Sequence, residues 1–151
     1  MLIDLHTHSY PHSDDSFMSV DELIEGSKSL GLDGICLTDH DVFWTDEEIR
    51  ELSSKHDFLV IPGCEINTES GHVLVFGLSG YEFGMHRAEF LRSSVDQVEG
   101  VMIAAHPYRR RFLEEPAEKP EARQEMLERA CGDEFFRMCQ GIEALNGRGL
   151  A

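Results

Sequence analysis

The stretch DLHTHSYPHSDDS, residues 4–16, holds three of the chain's eight histidines and three of its aspartates. His6 and His8 stand two apart. On an extended segment that spacing puts both imidazoles on one face, roughly 7 Å apart along the chain, where they can share a cation. The same residue types recur later at isolated points. Asp14 lies six residues past His8, Asp39 and His40 fall in TDH, and Glu65 in PGCEI. His72 opens HVLVFGL, His106 falls in AHP, and Glu143 and Asn146 in GIEALN. Imidazoles and carboxylates without thiolates suit zinc, manganese or iron rather than an iron–sulfur cluster. Six or seven such groups exceed the needs of one mononuclear site, so they predict two or three divalent ions with shared ligands. Glu65 is the natural bridge, because a carboxylate offers two oxygens.

These residues need elements that bring them together. Apolar runs predict strands at 1–5, 34–38, 58–63, 72–78, 101–107 and 141–146. Between them, helical spacing of apolar residues predicts helices. One begins after Ser19 as N-cap, with Val20, Leu23, Ile24 and Leu30 on one face and Gly31 closing it. Another spans 45–56 and opens on the capping box Thr45-x-x-Glu48. A third covers 85–98, and a helix broken at Gly132 covers 121–140. Strands alternating with helices predict an α/β fold with parallel pairing and right-handed crossovers. In such a sheet the C-terminal strand ends share one face, and residues distant in sequence meet there.

Other polar residues have plainer readings. His56 and His86 sit on helices as surface residues, and His12 is a loop histidine. Asp15 reads as a turn residue beside the ligand Asp14. Asp4 and Asp39 read as acceptors that orient neighbouring imidazoles.

Composition narrows the class. The chain has 151 residues, enough for one domain with a sizeable core. Its formal net charge of −16 argues against non-specific nucleic-acid binding. No apolar run reaches the roughly 18 residues of a membrane span, and MLIDL lacks the basic start of a signal peptide. Four cysteines without a C-x-x-C pair fit a reduced, cytoplasmic setting. There is no G-x-G-x-x-G, no P-loop and no G-x-S-x-G elbow.

Taken together, DLHTHS (4–9), SDDS (13–16), TDH (38–40), PGCEI (62–66) and AHP (105–107) resemble the PHP family, named for polymerase and histidinol phosphatase. The resemblance implies a distorted (β/α)7-type barrel with a di- or trinuclear metal centre at its mouth. It implies His6, His8, Asp14, His40, Glu65, His72 and His106 as ligands to two or three divalent ions. His6, His8, Glu65 and His106 would carry the chemistry. The implied activity is phosphoric-ester hydrolysis by metal-activated hydroxide. Substrates would be a small phosphorylated metabolite, a nucleotide or a short oligonucleotide. Arg109, directly after AHPY, is placed to grip a phosphate with two hydrogen bonds.

The family usually ends on a G-S-D-x-H motif, which these residues lack. The expectation is therefore a single domain over 1–151 that is C-terminally truncated and missing its last β/α unit. Its open barrel edge would be covered by a partner or a second copy. A non-catalytic metal-binding or partner-bound module is the alternative that this departure raises.

Overall fold

The computed structural model describes residues 1–107, 124, 125, 128 and 131–144. In chain order the elements are β1 (Ile3–Thr7), α1 (Val20–Ser29), β2 (Gly34–Leu37), α2 (Asp46–His56), β3 (Leu59–Pro62) and β4 (Cys64–Thr68). There follow β5 (Gly71–Phe76), α3 (Ala88–Gln97), β6 (Val101–Ala104), α4 (Glu134–Met138) and β7 (Gly141–Ile142). The capping box expected of Thr45 with Glu48 is present, and the N-cap Ser19 forms one with Glu22 as well, so each of these helices starts where its polar side chains satisfy the free amides. Among the described residues no helix is long and apolar enough to cross a membrane.

The strands form two sheets, in the orders β1-β2-β3 and β4-β5-β6-β7. The first is parallel throughout, as alternating strands and helices dictate. The second is mixed: β4-β5 and β5-β6 are antiparallel and only β6-β7 is parallel. This corrects the expected (β/α)7-type barrel: among the described residues no closed barrel forms. The reason is local. The apolar run 58–63 reads as one strand with Glu65 just after it, but past Gly63 the chain continues into a further strand, β4. A Cβ at Gly63 would lie 2.7 Å from the Phe76 ring and 2.9 Å from the Thr38 methyl, so the chain crosses between the sheets where only glycine fits. Thr68 then pairs with Gly71 across just Glu69 and Ser70. A two-residue link permits only antiparallel pairing, whereas a parallel return needs a dozen residues or more.

Side-chain alternation assigns each strand two faces. Ile35, Leu37 and Val60 pack under Leu23 and Ile24 of α1 and Ile49 of α2. Cys64, Ile66, Val73, Val75, Met102 and Ala104 pack under α3 and α4 through Leu91, Val95, Phe135 and Phe136. The residues between them, Glu65 and Asn67 on β4 and His72 and Leu74 on β5, therefore share the opposite face. The sheets are stitched on one side by three main-chain bonds. The Gly63, Glu65 and Asp41 amides donate to Leu37, Asp39 and Glu65 carbonyls at 2.9, 3.2 and 3.0 Å. On the other side, β1 and β7 flank a cleft of about 470 Å³ whose walls include Leu5, Leu74, Ile103 and Ile142, with His6 and Glu143 also lining it.

His56 corrects its reading as a surface residue. Its side chain is only 8% exposed, closed between α1 and α2. Nδ1 lies 2.7 Å from Glu25 and Nε2 2.6 Å from Asp21. Lys55 pairs with the same Asp21 at 2.7 Å, and Lys28 Nζ donates to the His56 carbonyl at 2.6 Å. The Glu25 and Asp21 hydrogen bonds raise the His56 pKa above its ordinary 6.5. In turn Lys55 and His56 lower Asp21, and His56 lowers Glu25. A raised histidine stabilises fully below its ordinary pKa and loses that stabilisation as pH climbs through the folded value. The depressed carboxylates lose theirs as pH falls below about 4. The clasp is thus strongest between these limits. Thermal melts from about pH 6 to about pH 9 should fall less steeply for His56→Gln than for the wild type. Equal slopes would remove the clasp.

Candidate metal centre

Glu65 is the second residue of β4 and is fully buried. Its main chain joins the two sheets, and its carboxylate enters the space between them. Five imidazoles surround it. Oε2 lies 3.0 Å from His6 Nε2, 2.8 Å from His8 Nε2 and 3.4 Å from His40 Nδ1. Oε1 lies 2.8 Å from His72 Nδ1 and 2.9 Å from His106 Nε2.

Each imidazole arrives for a local reason. His6 belongs to β1 and His8 follows it, so their alternation puts both on the inner side. His40 follows β2 and makes an isolated parallel bridge with Glu65. His106 follows β6 with φ +29°, a strained conformation for a residue with a side chain. His72 differs from the rim expected of parallel strand ends. It lies at the start of antiparallel β5, opposite Asn67, and shares Glu65's face by register rather than by strand polarity.

The aspartates are where sequence and structure part. Asp14, expected as a ligand, is exposed and joins none of the donor groups found among the described residues. Asp15 takes that place, with Oδ1 2.7 Å from His8 Nδ1 and Oδ2 3.6 Å from His40 Nε2. Nor does Asp39 orient an imidazole. Fully buried, it accepts from the Ser9 amide at 2.6 Å, Ser9 Oγ at 3.0 Å, Ser13 Oγ at 2.9 Å and Trp44 Nε1 at 3.0 Å. It orders the loop that carries Asp15. Among the described residues, Asp4 accepts only from the His6 main-chain amide, at 3.1 Å. The carboxylates on the outer imidazole nitrogens are Asp15 for His8 and Glu143 for His6, the latter at 3.1 Å. His12 meets Trp44 edge-on, with ring centroids 4.6 Å apart. Arg109 and Asn146 lie outside the described residues.

The donor chemistry fits divalent cations. His6 Nε2 and His8 Nε2 approach to 3.2 Å with the same Glu65 oxygen beside both. Two ring nitrogens turned on one point need either a proton or a cation between them. Among the described residues, His40 Nδ1 is buried and has no hydrogen-bond partner. Three overlapping groups have ligand atoms within 4.8 Å of one another: His6, His8 and Glu65; His8, Asp15 and His40; His40, Glu65 and His72. Such sharing is what several ions with bridging ligands require.

Without a cation, protons must serve. Burial lowers the His6 pKa, but hydrogen bonds to Glu143 and Glu65 more than reverse this and raise it to about 9. His8 is likewise depressed by burial and raised overall by Glu65 and Asp15. His40, lacking such a bond, is lowered, chiefly by burial. Burial raises Glu65, yet the His106, His6, His72 and His8 hydrogen bonds hold it far below the usual carboxylate range. The cluster is built to keep this carboxylate ionised.

The PHP domain model matches residues 4–146. The chain belongs to the PHP domain family. No curated protein matches it in sequence. Among solved structures, this PHP domain superposes on a "putative metal-dependent phosphoesterase" from Bifidobacterium adolescentis with a TM-score of 0.62 at 15% identity, covering 93% of this chain and 76% of that one. It also superposes on a two-domain protein from Bacteroides vulgatus "containing predicted PHP-like metal-dependent phosphoesterase". There the TM-score is 0.59 at 22% identity, over 85% of this chain and 41% of that one. At these identities the likeness is one of fold.

The two neighbouring aspartates of this PHP domain should separate on substitution. Asp15→Asn should weaken divalent-cation affinity about 10-fold or more, since outer partners of ligating imidazoles and direct ligands both act at that scale. Asp14→Asn should leave affinity within about twofold. Calorimetric titration with Zn2+ or Mn2+ reads both, and the reverse order would return the role to Asp14.

Proposed function

We propose that this PHP domain is a metal-dependent phosphoesterase acting on a small phosphorylated metabolite, a nucleotide or a short oligonucleotide. The observation that carries the reading is the buried Glu65 carboxylate, which shares overlapping donor groups with four imidazoles and has a fifth, His106, 2.9 Å away. His6, His8, Asp15, His40, Glu65, His72 and His106 would hold two or three ions, with zinc, manganese and iron all suited to imidazole and carboxylate. Divalent ions bound there would lower the pKa of a water towards 7 and offset charge developing on a phosphoryl group.

The chain's own residues do the rest. Glu65 spans neighbouring groups and fixes their separation, because its two oxygens face different imidazoles. Held between two sheets, the carboxylate does not have to reorganise during reaction, which is the physical basis of electrostatic preorganisation. His6 and His8 present ring nitrogens to one Glu65 oxygen and His72 and His106 to the other, so both sheets contribute to aligning whatever is bound there. With 29 acidic residues against 13 basic ones, the chain repels phosphate at a distance. A local guanidinium is therefore needed, and Arg109, just after His106 in sequence, is the proposed one. The small site and acidic field favour a short substrate over a long polyanion. All four cysteines are free, which suits a reducing cytoplasm.

Two measurements test the reading. The protein loaded with Zn2+ or Mn2+ should hydrolyse p-nitrophenyl phosphate, chelator should abolish turnover, and Glu65→Gln should lower kcat/KM at least about 100-fold. Absence of divalent-dependent turnover on aryl phosphate, nucleotide and dinucleotide alike would sink the phosphoesterase assignment. Arg109→Ala should weaken inhibition by inorganic phosphate about 10-fold, the scale of a charge-assisted hydrogen bond, without releasing metal. Unchanged inhibition would leave Arg109 without that role.

A further inference from the structure

We infer that Glu143 is a positioning residue that aims two cation-facing imidazoles at once, one from each sheet. The inference rests on the reading of the site as a metal centre. Glu143 directly follows β7, and its main chain is anchored by its amide donating to the Ala104 carbonyl at 2.9 Å. From there the side chain spans the edge where β1 and β7 are not joined. Its Oε1 lies 3.1 Å from His6 Nδ1 on β1. Its Oε2 accepts from the His106 main-chain amide, after β6, at 2.6 Å. The side chain is 11% exposed, so both bonds are shielded from water.

Each bond has a separate consequence. A carboxylate on His6 Nδ1 keeps the proton on that nitrogen and leaves Nε2 as a lone-pair donor, directed at Glu65 Oε2 3.0 Å away. The amide bond holds His106 at its φ of +29°, which few residues adopt without external support. That backbone angle directs His106 Nε2 to the other Glu65 oxygen, at 2.9 Å. The two rings end up stacked, with centroids 5.7 Å apart. Glu143 itself belongs to none of the three donor groups. Its role is to set direction, on the side where no strand-to-strand hydrogen bonds between β1 and β7 do so.

Both acceptor oxygens are used, so Glu143→Gln is the informative change. Glutamine keeps the length but has one acceptor oxygen, and its amide nitrogen cannot accept from a ring N–H or the His106 amide. Zn2+ affinity should fall about 10–100-fold by competition against a chromophoric chelator. The metal-free melting temperature should fall as well, because the carboxylate that raises His6 is lost, so affinity is compared well below both melting temperatures, where a merely structural role would leave it unchanged. Nitrogen-15 NMR of the Zn2+-loaded wild type should show His6 with a slowly exchanging proton on Nδ1. Wild-type binding matched by Glu143→Gln overturns this inference alone. A wild type that binds no Zn2+ overturns the metal-centre reading and this inference with it. If the variant does not fold, the wild-type spectrum decides, and metal on His6 Nδ1 overturns the inference.

Discussion

A carboxylate with no solvent exposure sits at the junction of two sheets, and the rest of the molecule is arranged to make that tolerable. Stranding an ionised carboxylate without partners inside a protein costs on the order of 3–5 kcal/mol. Glu65 avoids this by meeting ring nitrogens on both oxygens, from β1, β5 and the segments after β2 and β6. The same residue is a main-chain joint, with its amide bonded to Asp39 and its carbonyl accepting from Asp41. Position and charge are therefore not independent. Any shift of β4 against β2 would move the carboxylate away from histidines on the first sheet while leaving it close to His72 on the second.

The mixed pairing of the second sheet follows from the same joint. Once the chain has crossed at Gly63, the short Glu69-Ser70 link turns β5 back alongside β4. This hairpin pairs Asn67 with His72 and Glu65 with Leu74. Side chains alternate, so Glu65 and His72 end on the inner face and Ile66 and Val73 on the helix-covered face. A one-residue slip would bury His72 beneath α3 and turn a core valine into the imidazole cluster. The apolar core thus fixes the register of the polar cluster.

Much of this was legible in the amino-acid order. The pairing of His6 with His8 could be read because period-two alternation leaves little choice of face. His40, Glu65 and His106 could be read because each adjoins an apolar run. The N-cap at Ser19 and the capping box at Thr45 placed the starts of both early helices to within a residue. What was not legible depended on partners distant in sequence. The apolar run across Gly63 hides a change of sheet that only the Phe76 and Thr38 side chains enforce. Asp14 and Asp15 are chemically identical neighbours. Asp39, through Ser9 and Ser13, sets the turn that sends one outward and the other to His8. His56 looks like a surface residue on its own helix, and its two carboxylates come from α1. Glu143 carries no motif of its own, and its role is visible only once β7 is set beside β6.

The charge of the chain gives the site an order of events. An acidic surface field concentrates divalent cations and disfavours phosphate. Within the cluster, neutral imidazoles contribute no charge, and the described carboxylates Glu65, Asp15 and Glu143 leave it net negative when protons are absent. The protonation that relieves this in the metal-free state, seen in the raised His6 and His8, uses the same nitrogens a cation needs. Metal binding must therefore displace protons from them, and its strength rises with pH through that range. Only with cations bound would the local sign reverse and favour an anionic group between the sheets. The buried carboxylate that keeps the cation-free cluster negative is thus also the group that would hold the cations.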